Sequence, residues 1–76
     1  MHGLNCTHVR TEAVWDAAEK RAPREVTVEV FSCIGNEPLL VYAWEEKTPD
    51  GGCRIVAVLG SSRVRSAQDA VRAGLQ

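Results

Sequence analysis

His2, Cys6 and His8 are the residues whose types and spacing come nearest to chemistry. Imidazole and thiolate together suit zinc, which takes four nitrogen or sulfur ligands, usually as one short pair from each of two segments. The second half of such a site would have to come from Cys33 or Cys53, and neither belongs to a pair. No metal is therefore expected, and the three residues read as incidental ligand types. Cys6 and His8 also suggest a thiol nucleophile and its base, but residues two apart in an irregular segment have no fixed geometry and no orienting third group. Glu45-Glu46 is a carboxylate pair whose members alternate across a strand and cannot share a substrate. Gly51-Gly52 and Gly60-Ser61-Ser62 are too short for a phosphate cradle, which needs a longer glycine-rich loop opening a helix with a lysine. Gly60-Ser61-Ser62-Arg63 at a helix start could hold one anion on its free N–H groups, although helix capping is the simpler role. No catalytic set emerges, and no cofactor or small-molecule substrate is implied.

The chain that must position these residues has 76 of them, a formal net charge of −1, 45% hydrophobic and 25% charged residues. That is one globular domain with a thin core, since a domain this small buries only about 60% of its unfolded surface. The charge gives no support to nucleic-acid binding in bulk, though Arg54, Arg63, Arg65 and Arg72 gather in the last third. Three cysteines are a poor disulfide framework and suggest reduced thiols in a cytoplasm, with Cys33 and Cys53 packing as small hydrophobes. The first six residues lack a basic and apolar leader, and no apolar run approaches the ~20 residues of a membrane span.

Residues 1–10 show no period and read as a flexible arm, leaving 11–76 as the domain. Thr11 is a plausible N-cap, Val14, Trp15, Ala17, Ala18 and Ala22 recur near helical spacing, and Pro23 is a stop, so a helix is expected over 12–21. From Arg24 to Cys33 the pattern alternates, with Val26, Val28 and Val30 on one side and Thr27, Glu29, Phe31 and Cys33 on the other. Gly35-Asn36 and Pro38 signal a turn. Leu39–Glu46 is a second strand, Thr48-Pro49-Asp50-Gly51-Gly52 a hairpin loop, and Cys53–Leu59 a third strand. Ser66 with Asp69 three residues on resembles a capping box, and Val64, Ala67, Ala70, Val71 and Leu75 form the stripe of a closing helix. The expected fold is α+β, an αβββα order with a three-stranded antiparallel meander and two helices on one face.

The order helix, three strands, helix resembles that of double-stranded-RNA-binding domains. Gly60, Ser62 and Arg63 stand where that family has its loop and first basic position, and Ala70-Val71 and Gly74-Leu75 fall at its apolar offsets. Val64 and Ala67 replace two of its lysines, and Gly35-Asn36-Glu37-Pro38 lacks its Gly-Pro-x-His signature. The resemblance implies a related fold, and phosphate contacts from Arg63 and less clearly Arg65.

Two of the three strands are apolar on both sides, so helices on one face leave an apolar face open. Contiguous exposed apolar surface marks association sites. Phe31, Tyr42, Trp44, Val56 and Val58 are assigned to it, with Leu39 and Val41 taking the place of Tyr42 and Trp44 if that strand is turned over. Trp15 is assigned to the core. The expected function is a non-enzymatic protein-interaction module, acting as an adaptor, a homodimer, or an inhibitor of a larger complex of the kind mobile elements encode. The alternative is nucleic-acid binding through Arg63, Arg65 and Arg72.

Overall fold

The alternation read from Arg24 onward sets the sheet, and four of the five expected elements, three strands and the closing helix, form where the sequence places them. The computed structural model describes residues 5–17 and 22–74. Its elements are β1 (Asn5–Asp16), β2 (Arg24–Ile34), β3 (Pro38–Lys47), β4 (Cys53–Leu59) and α1 (Ala67–Gly74). The strands form one antiparallel sheet in the order β1-β2-β3-β4. Tight turns set the register: Ile34 lies opposite Pro38, and Lys47 opposite Cys53. In the second turn the Thr48 hydroxyl and the Gly52 N–H both donate to the Asp50 carboxylate, and Gly51 takes a φ of +90° that suits glycine alone.

The expected αβββα order is not what forms. The segment expected as a helix over 12–21 is, through Asp16, the second half of β1, and the described chain contains one helix rather than two. The helical reading rests on Val14, Trp15 and the alanines spaced between a Thr11 cap and a Pro23 stop, local preferences that tertiary pairing overrides. Extended, Val14 points into the core at 6% exposure and its neighbour Trp15 points out at 60%, so Trp15 is not a core residue. Thr7, Val9, Thr11 and Val14 suit a strand, and pairing with β2 runs from Asn5 opposite Ile34 to Asp16 opposite Arg24, with one bulge at Val9 between His8 and Arg10. Residues 18–21 of the expected helix lie outside the described residues. Residues 5–10, expected as part of an arm, are the exposed first half of this strand.

Cys6 and Cys33 face each other across β1 and β2 and are joined by a disulfide, with a Cα–Cα distance of 4.0 Å. This corrects the expectation of three reduced thiols; Cys53 alone is free, and it is exposed. The odd count concealed the pair because spacing along the chain says nothing of register between strands.

The closing helix forms as expected from its cap. Ser66 Oγ accepts the Asp69 N–H at 3.1 Å, and the Asp69 carboxylate accepts the Arg65 N–H at 3.1 Å. Ala67, Ala70 and Val71, with Val64 just ahead, pack on Val14, Val26, Val28, Val30, Tyr42 and Trp44. The fit is close at the end of the helix, where a Cβ on Gly74 would lie 2.7 Å from the Trp44 ring. One short helix thus covers one face of a four-stranded sheet.

Candidate functional site

Antiparallel pairing carries the identity of a face from strand to strand. Val30 is inward and sits opposite Tyr42, and Tyr42 sits opposite Val58. Trp44 sits opposite Val56. Tyr42 and Trp44 are therefore core residues, exposed by 0% and 3%, and Val56 and Val58 are partly buried against that core. Four of the five residues assigned to the open face lie under the helix instead. Phe31 alone of that set is on the open side, joined by Leu39, Val41, Ala43, Ile55, Ala57 and Leu59.

The missed residues had a signal. The turns at Gly35-Asn36 and Thr48–Gly52 pin the pairings, so once Val26, Val28 and Val30 are inward, the parity of the register puts Tyr42, Trp44, Val56 and Val58 inward as well.

The outer face has rows that run across the strands. His8, Phe31, Val41 and Leu59 form one; Thr11, Glu29, Ala43 and Ala57 form the next. Beyond them lie Ala13 opposite Thr27 and Glu45 opposite Ile55, then Trp15 opposite Glu25 and Lys47 opposite Cys53. The second row has small side chains on β1, β3 and β4, while Phe31, Val41 and Leu59 rise on one side and Ile55 and Trp15 on the other. The result is an open trough of about 520 Å³ lined chiefly by Thr27, Glu29, Phe31, Ala43, Glu45 and Ile55. Ile55 and Leu59 are 66% and 60% exposed.

Glu29 is held in the trough wall. Thr11 Oγ1 donates to its Oε1 at 2.6 Å, and His8 Nε2 lies 2.7 Å from the same oxygen. The Thr11 hydroxyl first, and then the imidazole, hold this carboxyl below its ordinary range, so it is ionised at neutral pH. His8 also meets the edge of Phe31, with ring centroids 5.3 Å apart. These three groups do not make a hydrolytic relay. Glu29 and Thr11 both meet Nε2, whereas a triad needs the acid and the nucleophile on different ring nitrogens.

A second polar cluster lies on the inner side. Arg24 Nη2 donates to both Glu46 oxygens at 2.9 and 2.7 Å, Arg24 Nε reaches Asp16 at 3.3 Å, and Trp44 Nε1 donates to Glu46 at 2.6 Å. Glu46 and Asp16 are buried, at 6% and 8% exposure. Hydrogen bonding to Glu46, opposed by burial and helped by Asp16, raises the basicity of Arg24 further. With its oxygens bonded to a guanidinium and an indole, Glu46 closes the end of the core and is not available as an acid–base group. Glu45, as its alternation required, is exposed on the other face.

Cys6 is bonded to Cys33, so it is neither a thiolate ligand nor a nucleophile, and His2 lies outside the described residues. Among the described residues no group of three His, Cys, Asp or Glu side chains could hold a metal ion. Arg63 and Arg65 are exposed in the turn before α1, where Arg65 Nε donates to the Ser62 carbonyl, and Arg72 is exposed in the last turn of the helix. Ser61 caps that turn, its Oγ accepting the N–H groups of Arg63 and Val64 at 3.2 Å. The first helix required by a double-stranded-RNA-binding fold is a strand here. No helix among the described residues is long and apolar enough to cross a membrane. No protein-family model matches the chain, and no curated protein or solved structure is significantly similar to it.

Proposed function

We propose that the chain is a small non-enzymatic protein-interaction module, an adaptor or an inhibitor of a larger complex, whose outer sheet face is covered by a protein partner. The observation that carries this reading is the apolar row Phe31, Val41, Leu59, flanked by Leu39 and Ile55, on the face opposite the helix. An antiparallel sheet with one solvated face normally alternates apolar in and polar out, and this face departs from that rule over β3 and β4. Nucleic-acid binding through Arg63, Arg65 and Arg72 has less support, because those side chains are spread around α1 and interleaved with Asp69. The cysteine pair bears on location. Persistent disulfides belong to oxidising compartments, so the cytoplasmic placement loses the ground it had in the odd cysteine count.

The test is site-specific photo-crosslinking in the producing cell, with benzoylphenylalanine at Ala57 on the outer face or at Arg72 on the helix. A discrete adduct from position 57, weakened by Ile55→Glu and absent from position 72, is expected. No adduct from position 57, together with a strict monomer by light scattering, would overturn the proposal.

A further inference from the structure

We propose that the outer trough receives a basic, apolar-flanked segment of a partner protein, with one arginine side chain seated between Glu29 and Glu45. The inference rests on reading this face as an interface and names the chemistry of what covers it.

Charge distribution is the first argument. The outer face carries the carboxylates of Glu25, Glu29 and Glu45, against Lys47 at its loop end and His8 at its far edge. Arg54 lies on the inner side of β4, opposite Glu46, and Arg63, Arg65 and Arg72 lie around the helix. Among the described residues, Glu25 and Glu45 form no ion pair, and Glu29 is anionic through its bonds to Thr11 and His8. Two of the three acidic groups on this side, Glu25 and Glu45, therefore have no ion-pair partner among the described residues, while Glu29 is shared with His8 and Thr11.

Shape is the second argument. Glu29 lies opposite Ala43, and Glu45 is two residues further along the same strand, so the two carboxylates are diagonal neighbours roughly 7–8 Å apart at their backbones. Ala43 and Thr27 leave the space between them open. A guanidinium has donors on two edges and can bond two carboxylates at once, which an ammonium does less well. Its three-carbon stem would lie on Phe31 and Ile55, and apolar neighbours in the partner would meet Val41 and Leu59.

A second copy of this chain is a poorer occupant. Face-to-face pairing would bring two sets of the same carboxylates together, and like-charge juxtaposition opposes association.

The probe is a capped peptide alternating valine and arginine, compared with versions in which glutamine or glutamate replaces arginine. Binding is read from amide shifts in NMR spectra and from protection of Trp15 against acrylamide. The arginine peptide should shift Thr27, Glu29, Ala43, Glu45 and Ile55. Its affinity should fall at least tenfold in E29Q/E45Q, and should fall with added salt. Equal binding of the glutamine peptide, or a dimer that buries this face, would overturn the basic-partner inference and leave the interface reading standing. No shift with any peptide, combined with no adduct from position 57, would overturn both.

Discussion

Cutting the Cys6–Cys33 bond should cost the domain a large part of its stability, and the size follows from chain length alone. The two residues are 27 apart in sequence. Cross-linking a loop of that length removes unfolded-state entropy equivalent to about 3.5 kcal/mol at 25 °C. A chain of this size is expected to have about 4–11 kcal/mol in all, at 0.05–0.15 kcal/mol per residue. The variant to make is Cys6→Ala in a Cys53→Ala background, which leaves no second thiol to exchange with Cys33. Cys6 is exposed while Cys33 is 1% exposed, so truncating Cys6 removes the link without opening a cavity. Thermal unfolding followed by circular dichroism should show a drop of roughly 15–25 °C. Urea unfolding should show a steeper dependence on denaturant, because the unfolded chain is less compact without the link. A loss below about 1 kcal/mol with an unchanged urea slope would refute the argument.

Trp44→Ala should destabilise the fold by about 3–5 kcal/mol, whereas Ile55→Ala should change it by less than about 0.5 kcal/mol, since one ring is in the core and the other side chain faces solvent; urea titration of the two variants checks the assignment of faces. Gly74→Val should cost about 1–3 kcal/mol by forcing its side chain against the Trp44 ring, read from the same titration. Thr11→Val should raise the Glu29 titration midpoint toward its ordinary 4.5, measured by carboxyl carbon NMR. The sign is that of a depressed carboxyl: the stability Glu29 contributes is present above its unfolded value and is lost as pH falls through its folded value, so the variant should lose less between those points.

The strands β2, β3 and β4 and the capped closing helix were legible because each has a local cause: alternation, a turn with Asp and Gly at the required positions, or a Ser–Asp cap. β1 was not. Ala17, Ala18 and Ala22 favour a helix locally, while the reason for a strand is the exposed edge of β2, some twenty residues away. The two faces are a different case. Tyr42 and Trp44 are types common at interfaces, yet the two turns already determine that they point inward. The Cys6–Cys33 bond depends on the pairing of β1 and could not be seen before that strand was. Phe31 was legible as an outer residue because Val26, Val28 and Val30 left it no other side.

The outer face is polarised across the sheet, and that polarity constrains how a partner can lie on it. On the β1 edge the outer face carries a bulge at Val9 and His8 tied to Glu29, with the exposed Trp15 further along the strand. On the β4 edge the outward side chains are Ile55, Ala57 and Leu59, and the charged Arg54 points to the inner side. The carboxylates of Glu25 and Glu29 lie on β2 and that of Glu45 on β3, whereas the outward side chains of β4 carry no acid. A partner segment that satisfies both must place aliphatic side chains over β4 and direct its cations toward β2 and β3. Exchanging the two sides, by Glu29→Leu with Leu59→Glu, should therefore abolish binding of the arginine peptide even though the composition of the face hardly changes.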